Sequence, residues 1–406
     1  MTVDPARDGD GGVYTHRPMP VYVWYPVDQS VITGSTPRAS YPMDPLYGVV
    51  PPASSMYFEQ YGIDRAYDGV AVSSKKPFPV LMFSPGWGIP AWMHASVAAR
   101  LASHGFVVAV LYHFGDQWWP WEPPFDHIAL ASFNRPRDVS FVLTDLLQKN
   151  ALPEHLLSGS MRSDRVAAGG WSLGGYAAMV LAGGDDSVCE ELADVGFGPP
   201  PESTCAPSYP DPRIKAILPL DGSGWILRFD ELARIKVPSI GIGQEWTQVQ
   251  DWHTREHAAI QGHPSYRVDI FNTNHYSFAD VCENVRIMGD LGILSPAEVE
   301  LWLEWYCAGV TPSDVVHGLT NKYATAFLKT ELASAMGYQD ILTPGWALKR
   351  ESLVEFFITE KRNPNAISDD WPGYYVYFKH QPGSEQAHAE KDPLVKQSIP
   401  RVSGPR

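Results

Sequence analysis

The stretch DRVAAGGWSLGGYAAM, residues 164–179, decides the fold of this chain. An apolar run that ends in glycines precedes Ser172, and an apolar run of good helix formers follows it, so the stretch predicts a strand, a sharp turn and a helix. Gly170 and Gly174 lie two residues either side of Ser172, which is the nucleophile-elbow pattern. Ser172 is therefore the candidate nucleophile, and the helix that follows directs its first N–H groups at negative charge beside the hydroxyl.

Apolar strands and helical segments alternate on both sides of this stretch. We expect further strands at 20–24, 78–83, 106–112, 214–218, 237–242 and 266–271. A helix is predicted to begin at Asn134, which caps it, with Pro136 in its first turn. Strands that are apolar on both faces and alternate with helices indicate a mostly parallel sheet covered by helices on both sides, that is, the α/β class.

The composition excludes several functional classes. The 406-residue chain has a formal net charge of -15 with dispersed acidic residues, so it offers no basic surface for nucleic acid. Its longest apolar runs, such as 107–112, are far too short for a transmembrane segment. Residues 1–12 are polar and acidic, which excludes a signal peptide at that position.

The four cysteines form two local pairs, Cys189 with Cys205 and Cys282 with Cys307. An even count at close spacing in a loop-rich chain predicts two disulfides and an oxidising compartment. We therefore expect a secreted or periplasmic protein whose signal peptide is absent from this numbering. The alternative is a cytoplasmic protein with four buried free thiols.

A serine nucleophile needs a histidine base and a carboxylate that orients this base, in the chain order Ser, acid, His. His275 follows the last clear strand at the edge of the sheet where Ser172 lies, so it is the candidate base. Two carboxylates lie between Ser172 and His275 in the chain and follow successive predicted strands: Asp221 and Glu245. Asp221 is preferred because a Leu-Asp-Gly turn fixes it directly after its strand. Glu245 remains the alternative acid, or a carboxylate beside the same site.

Acyl transfer also needs two N–H donors for the developing oxyanion. Leu173 supplies one at the start of its helix, and Trp87, flanked by two glycines after the 78–83 strand, is the candidate for the other. Further tryptophans expected near this edge are Trp118, Trp119, Trp121 and Trp171. They predict an aromatic cleft that binds a hydrophobic or aromatic ester, and the alternative is that they are core and lid residues.

These motifs resemble those of the plasma-type platelet-activating factor acetylhydrolases and their bacterial relatives. The resemblance spans residues 18–333 and rests on the elbow, Leu220-Asp221, FSPGWG at 83–88, LASHGFVVA at 101–109 and HYSFAD at 275–280. It implies an α/β-hydrolase fold, no metal or other cofactor, and esters with short or oxidised acyl chains as substrates. The site residues that it implies are the triad Ser172, Asp221 and His275 and the backbone donors Trp87 and Leu173.

The chain departs from this family at Trp171, before the nucleophile, and at Pro85, where the family usually has histidine. A long insertion at 183–212 and a tail after Gly337 are also unlike the family. Because these changes border the pocket, substrate identity is not carried over with the mechanism.

We expect one catalytic domain over residues 13–336, in which 183–212 is a candidate cap. Residues 337–406 form an irregular, aromatic C-terminal extension that packs on this domain, with a disordered end.

The main prediction is a serine hydrolase that cleaves a small-molecule or lipid-like carboxylic ester through an acyl-enzyme. A second class is a zinc metallohydrolase, because His253-Thr254-Arg255-Glu256-His257 matches the H-x-x-E-H pattern and would use His253 and His257 as ligands. A third class is a non-catalytic binding protein with a hydrolase fold, which typically lacks a triad member.

Overall fold

The computed structural model describes residues 1–9, 14–48, 50–116, 127–194, 205–245, 252–362 and 374–379. Its strands are β1 (Thr2–Asp8), β2 (His16–Met19), β3 (Val21–Trp24), β4 (Ser40–Tyr41), β5 (Ala53–Ser54), β6 (Phe78–Ser84), β7 (Val107–Leu111), β8 (Met161–Trp171), β9 (Ile214–Leu220), β10 (Ser239–Gln244), β11 (Ser265–Ile270), β12 (Val354–Arg362) and β13 (Tyr374–Lys379). Its α-helices are α1 (Ser55–Glu59), α2 (Ala95–Ser103), α3 (Ile128–Ala151), α4 (Leu173–Gly183), α5 (Val188–Asp194), α6 (Phe229–Leu232), α7 (Trp252–Ala259), α8 (Val281–Asp290), α9 (Pro296–Cys307), α10 (Ser313–Glu331) and α11 (Pro344–Arg350).

Nine of the described strands form one sheet, in the order β13-β12-β11-β10-β9-β8-β6-β7-β3. Six neighbouring strands of this order, β11-β10-β9-β8-β6-β7, pair in parallel. Strand β3 extends one edge, and β12 and β13 extend the other, in antiparallel pairing. The chain runs from β6 outward to β7 and returns on the other side of β6 as β8. Ligands of open α/β sheets bind at such a reversal, outside the carboxyl ends of the strands. The reversal lies between β6 and β8, which are neighbours in the sheet.

Successive residues of β6 face opposite sides of the sheet, as the pleat requires. Leu81 and Phe83 pack in a core with α2, α8 and α10, whereas Val80 and Met82 pack in a second core with α3 and α4. All four side chains are completely buried. The continuous apolar strands predicted this burial on both faces, and it fixes the strand ends that carry the loops.

Helix α3 begins at Ile128, so the prediction that it begins at Asn134 was wrong. Its N-cap is His127, whose Nδ1 accepts a hydrogen bond from the Ala129 N–H at 3.2 Å. Pro136 lies inside the helix, where it has no N–H for the carbonyl one turn earlier. The longer helix makes Arg135 an interior helical residue, and its side chain is completely buried.

Residues after Gly337 are more regular than the sequence indicated. Strand β12 pairs antiparallel with β11 over six positions, from Val354 opposite Ile270 to Thr359 opposite Ser265. Its buried glutamate at 355 interrupts the apolar pattern that would have predicted a strand. The irregular structure expected here was therefore wrong up to residue 362. The division into 13–336 and 337–406 stays a prediction. The end that is expected to be disordered, after about residue 381, lies outside the described residues.

Both cysteine pairs lie at bonding distance. The sulfur atoms are 2.25 Å apart in Cys189–Cys205 and 2.12 Å apart in Cys282–Cys307. Disulfides of this kind are typical of proteins in oxidising compartments. Within the described ranges, no helix combines the length and the apolar character that a membrane crossing needs.

Candidate active site

Ser172 occupies a strained turn between β8 and α4. Its backbone angles are φ 54° and ψ −122°, a conformation that residues other than glycine rarely adopt. Hydrogen bonds hold it there: the Ser172 N–H donates to the Leu220 carbonyl at 3.0 Å, and the Ser223 N–H donates to the Ser172 carbonyl at 3.1 Å. The neighbouring strand β9 and the loop after it thus fix the turn, and the Ser172 side chain remains partly exposed.

Two glycines let the turn approach the end of β6. A Cβ atom on Gly174 would lie 1.8 Å from the Ser84 carbonyl oxygen, and a Cβ on Gly170 would lie 2.4 Å from the same oxygen. No side chain fits at these distances. The loop after β6 closes on the elbow in the same way, because a Cβ on Gly86 would lie 2.5 Å from the Trp171 ring.

Asp221 and His275 meet beside this turn. The His275 Nδ1 lies 2.5 Å from Asp221 Oδ2. The same carboxylate accepts hydrogen bonds from the Gln244 side-chain amide at 3.0 Å and from the Gln244 backbone N–H at 3.3 Å. Asp221 is only 2% exposed, so His275 and Gln244 orient a buried carboxylate. Of the two candidate acids, Asp221 makes this bond to His275, and Glu245 lies half-buried one residue beyond Gln244.

Trp171 connects the histidine to the elbow. The centroids of the Trp171 and His275 rings are 4.7 Å apart at an interplanar angle of 31°, and Trp171 Nε1 donates to the His275 carbonyl at 2.9 Å. These contacts tie His275 to the residue that immediately precedes Ser172. The Trp171 ring is 2% exposed, and its predicted role in substrate binding stays a prediction.

A second serine, histidine and aspartate set lies beneath the loop after β6. Ser84 Oγ lies 2.8 Å from His113 Nε2, and His113 Nδ1 lies 2.9 Å from Asp138 Oδ2. Burial lowers the pKa of His113 to about 4. Ser84 is 1% exposed and also accepts a hydrogen bond from the Arg135 guanidinium at 3.1 Å. A substrate cannot reach this hydroxyl, so the set supports the loop.

Arg135 and Asp116 hold that loop on both sides of Trp87. The guanidinium donates to the carbonyls of Pro85 and, at 2.9 Å, Gly86, and it bonds Asp116 Oδ2 at 2.5 Å. The other Asp116 oxygen accepts the Gly88 N–H at 3.1 Å. Burial raises the pKa of Asp116 to about 6 and lowers the pKa of Arg135, although the two groups attract each other.

Sequence reasoning missed this pair. One signal was present, since Arg135 lies on the apolar stripe of α3, four residues after Ala131 and four before Val139, both of which are buried. A charged residue on such a stripe is buried with its partners. Asp116 offered no comparable signal, because only the fold brings this residue, near the start of the loop after β7, to helix α3.

The residues of the zinc pattern have other partners where they are described. The ring nitrogens of His257 lie 3.0 Å from the Thr359 hydroxyl and 3.3 Å from the Ser265 hydroxyl. Glu256 accepts the Gly224 N–H at 2.8 Å, just after the Asp221 turn. The side chain of His253 lies outside the described residues.

The structure does not describe several other predicted features. Trp118, Trp119 and Trp121 lie outside the described residues, as do residues 195–204 of the candidate cap. Trp87 is described and half-buried, and it packs against the core that contains α3 and α4.

Comparison with known proteins supports the architecture. No protein family model and no curated protein sequence matches the chain. Among solved structures, the ferulic acid esterase from Streptomyces cinnamoneus matches with a TM-score of 0.54 and 21% identity, over 82% of this chain and 88% of that chain. At this identity the similarity concerns the fold. The chain has the α/β-hydrolase fold, and its resemblance to the platelet-activating factor acetylhydrolases remains a hypothesis.

The close contact at Gly174 gives a testable prediction. Gly174→Ala should destabilise the protein by about 1–3 kcal/mol, because its methyl group meets the Ser84 backbone, which cannot move without distorting β6. Gly318→Ala on α10 is the matched control, because a Cβ there meets nothing within 4 Å, and alanine should stabilise the helix by about 0.5–1 kcal/mol. Urea denaturation measures both effects, and equal stability of the two variants would contradict the prediction.

Proposed function

We propose that this protein is a serine hydrolase that cleaves carboxylic esters through an acyl-enzyme. The observation that carries the proposal is the hydrogen bond between His275 and the buried Asp221, together with the contact of the His275 ring with Trp171, the residue before the strained Ser172. A serine hydroxyl becomes a nucleophile only with an oriented base, and an oriented base needs a fixed carboxylate. Ser172, Asp221 and His275 follow the carboxyl ends of the parallel strands β8, β9 and β11.

In the proposed mechanism, His275 takes the proton of the Ser172 hydroxyl, and the serine oxygen attacks the ester carbonyl carbon. Asp221 keeps the His275 Nδ1 proton in place, so that Nε2 is the basic nitrogen, and stabilises the imidazolium that forms. His275 then protonates the leaving alcohol. Water, activated by the same histidine, releases the acid from the acyl-enzyme.

The proposed oxyanion donors are the backbone N–H groups of Leu173 and Trp87. Leu173 begins α4, whose positive end favours an oxyanion. The contacts of Arg135 and Asp116 with Pro85, Gly86 and Gly88 support Trp87 as the second donor, because they restrain the backbone on either side of it. Preorganised donors contribute without reorganisation during the reaction.

The proposed substrate is an ester with a short acyl chain or a hydrophobic or aromatic group. The sequence prediction that several tryptophans lie at this edge favours such a ligand. The solved structure that shares the fold is named a ferulic acid esterase, which is consistent with an aromatic acyl group. The two disulfides support a secreted or periplasmic location.

A fluorophosphonate probe tests the nucleophile. The wild-type protein should be labelled at Ser172, and Ser172→Ala should lose both the label and at least about 10⁴-fold of the kcat for p-nitrophenyl acetate. His275→Ala should lose a similar factor. Ser84→Ala is the matched control, because this buried serine has its own histidine and aspartate partners, and the variant should keep the label at Ser172. Labelling of another residue in the wild type would overturn the proposal.

Substitutions at Asp221 and Glu245 show which of the two carboxylates is the acid of the proposed triad. Asp221→Asn should lower kcat by about 10⁴-fold, because an amide stabilises neither the correct tautomer nor the imidazolium. Glu245→Gln should stay within about threefold of wild type, since Gln244 and not Glu245 donates to Asp221. The opposite ranking would assign the acid role to Glu245.

The contacts of Arg135 with the loop after β6 predict that removing its side chain weakens transition-state stabilisation but not substrate binding. Arg135→Ala should lower kcat by about 10–100-fold with little change in KM, because the Trp87 N–H shifts away from the oxyanion. Guanidinium ion at millimolar concentration should restore part of the rate. Arg137→Lys, at an exposed position on the same helix, is the control and should keep the wild-type kcat. A parallel rise in KM without rescue would instead indicate a purely structural role.

A further inference from the structure

A second polar cluster lies where the start of α8 packs against α10. His317 Nδ1 is 3.7 Å from Asp280 Oδ1 and 4.0 Å from Glu283 Oε1, and one ligand atom of each side chain lies within 4.8 Å of the others. We propose that these three side chains bind a divalent transition-metal ion such as Zn²⁺. This inference is independent of the proposed ester hydrolysis.

The distances suit an ion of this size. Zn²⁺ binds imidazole nitrogen and carboxylate oxygen at about 2.0–2.2 Å, so two ligands of one tetrahedral ion lie roughly 3.3–3.6 Å apart. The two measured separations exceed this range by only a few tenths of an ångström. A small rotation of His317 on α10 would close them. One imidazole with two carboxylates is a donor set that favours Zn²⁺ or Mn²⁺ over Ca²⁺ and Mg²⁺, which prefer oxygen alone.

Among the described residues, no lysine or arginine forms an ion pair with Asp280 or Glu283. The side chains of Asp280 and Glu283 are 0% and 4% exposed, and in the described ion pairs of these two carboxylates the partner is His317. Two buried carboxylates without a lysine or arginine carry a large desolvation cost, which a divalent ion offsets. The buried Asp116, by comparison, is paired with the guanidinium of Arg135.

Glu283 gives independent support for a bound ligand. Its Oε1 accepts a hydrogen bond from the Ser313 hydroxyl, whereas its buried Oε2 has no hydrogen-bond partner among the described residues. A buried carboxylate oxygen without a donor is costly. Because both oxygens belong to one carboxylate, Oε2 lies at the same cluster and is available to an ion.

An ion can reach the site from solvent. His317 lines a cavity of about 360 Å³ together with Ser96 and Asn321. Ser96, at the start of α2, donates its backbone N–H to Asp280 Oδ2 at 2.8 Å. The ion would therefore join α8 and α10 directly and α2 through Asp280. Asp280 lies five residues after His275, so the site would brace the segment that carries the histidine without contacting a substrate.

Metal titration of the full-length, untagged protein after EDTA treatment and dialysis tests the site. Calorimetry with ZnCl₂ should give one equivalent bound and a higher Tm, and CoCl₂ should give the visible absorption of a tetrahedral Co²⁺ site. Glu283→Gln and His317→Gln should each weaken Zn²⁺ binding by at least about tenfold. The wild-type stoichiometry and the Co²⁺ spectrum need no variant, so the test stands even if a variant folds poorly.

Two controls locate the ion. Glu304→Gln changes an exposed carboxylate on α9, and His253→Gln removes one histidine of the other zinc pattern. Both should bind Zn²⁺ as the wild type does. Absence of Zn²⁺ binding to the wild type would overturn the proposal, as would unchanged affinity in Glu283→Gln. Loss of binding in His253→Gln alone would place the ion at α7 and equally overturn it.

Discussion

The contact between Gly174 and the end of β6 is the constraint on which the rest of the site depends. The elbow can lie against the Ser84 carbonyl only because two glycines leave no Cβ in the way. This contact brings the start of α4 and the loop after β6 to one place, at the reversal in strand order. Hydrogen bonds between Ser172 and both β9 and its following loop hold Ser172 in its strained conformation, so the scaffold supplies the geometry that the proposed chemistry uses.

Two sets of serine, histidine and aspartate lie close together, and their surroundings distinguish them. Ser172 is partly exposed at a strained turn, whereas Ser84 is buried and bonded to Arg135. The guanidinium groups of Arg17 and Arg7 overcome the effect of burial and keep the pKa of Asp138 well below its usual range, and burial keeps His113 neutral. A triad pattern alone therefore does not define a site, because accessibility and backbone strain decide which serine can react.

The sequence predicted what local patterns determine. The parallel strands and the elbow follow from apolar runs and glycine spacing, and the two cysteine pairs follow from their proximity. The start of α3 was predicted six residues too late, because the preference of Pro136 for a first turn is weaker than the packing of residues 128–135. Strand β12 was missed because Glu355 breaks its apolar run. Arg135, Asp116 and the Asp280 cluster could not be predicted fully, since they meet only through contacts between distant segments.

The most direct test of the account is a crystal structure of the phosphonate adduct. The proposed mechanism predicts that phosphorus is bonded to Ser172 Oγ. It also predicts that a phosphonyl oxygen lies about 2.7–3.1 Å from the backbone nitrogens of both Trp87 and Leu173. His275 Nε2 should face the serine oxygen, with Nδ1 still bonded to Asp221. An adduct on another residue, or a phosphonyl oxygen that points away from both amides, would contradict it.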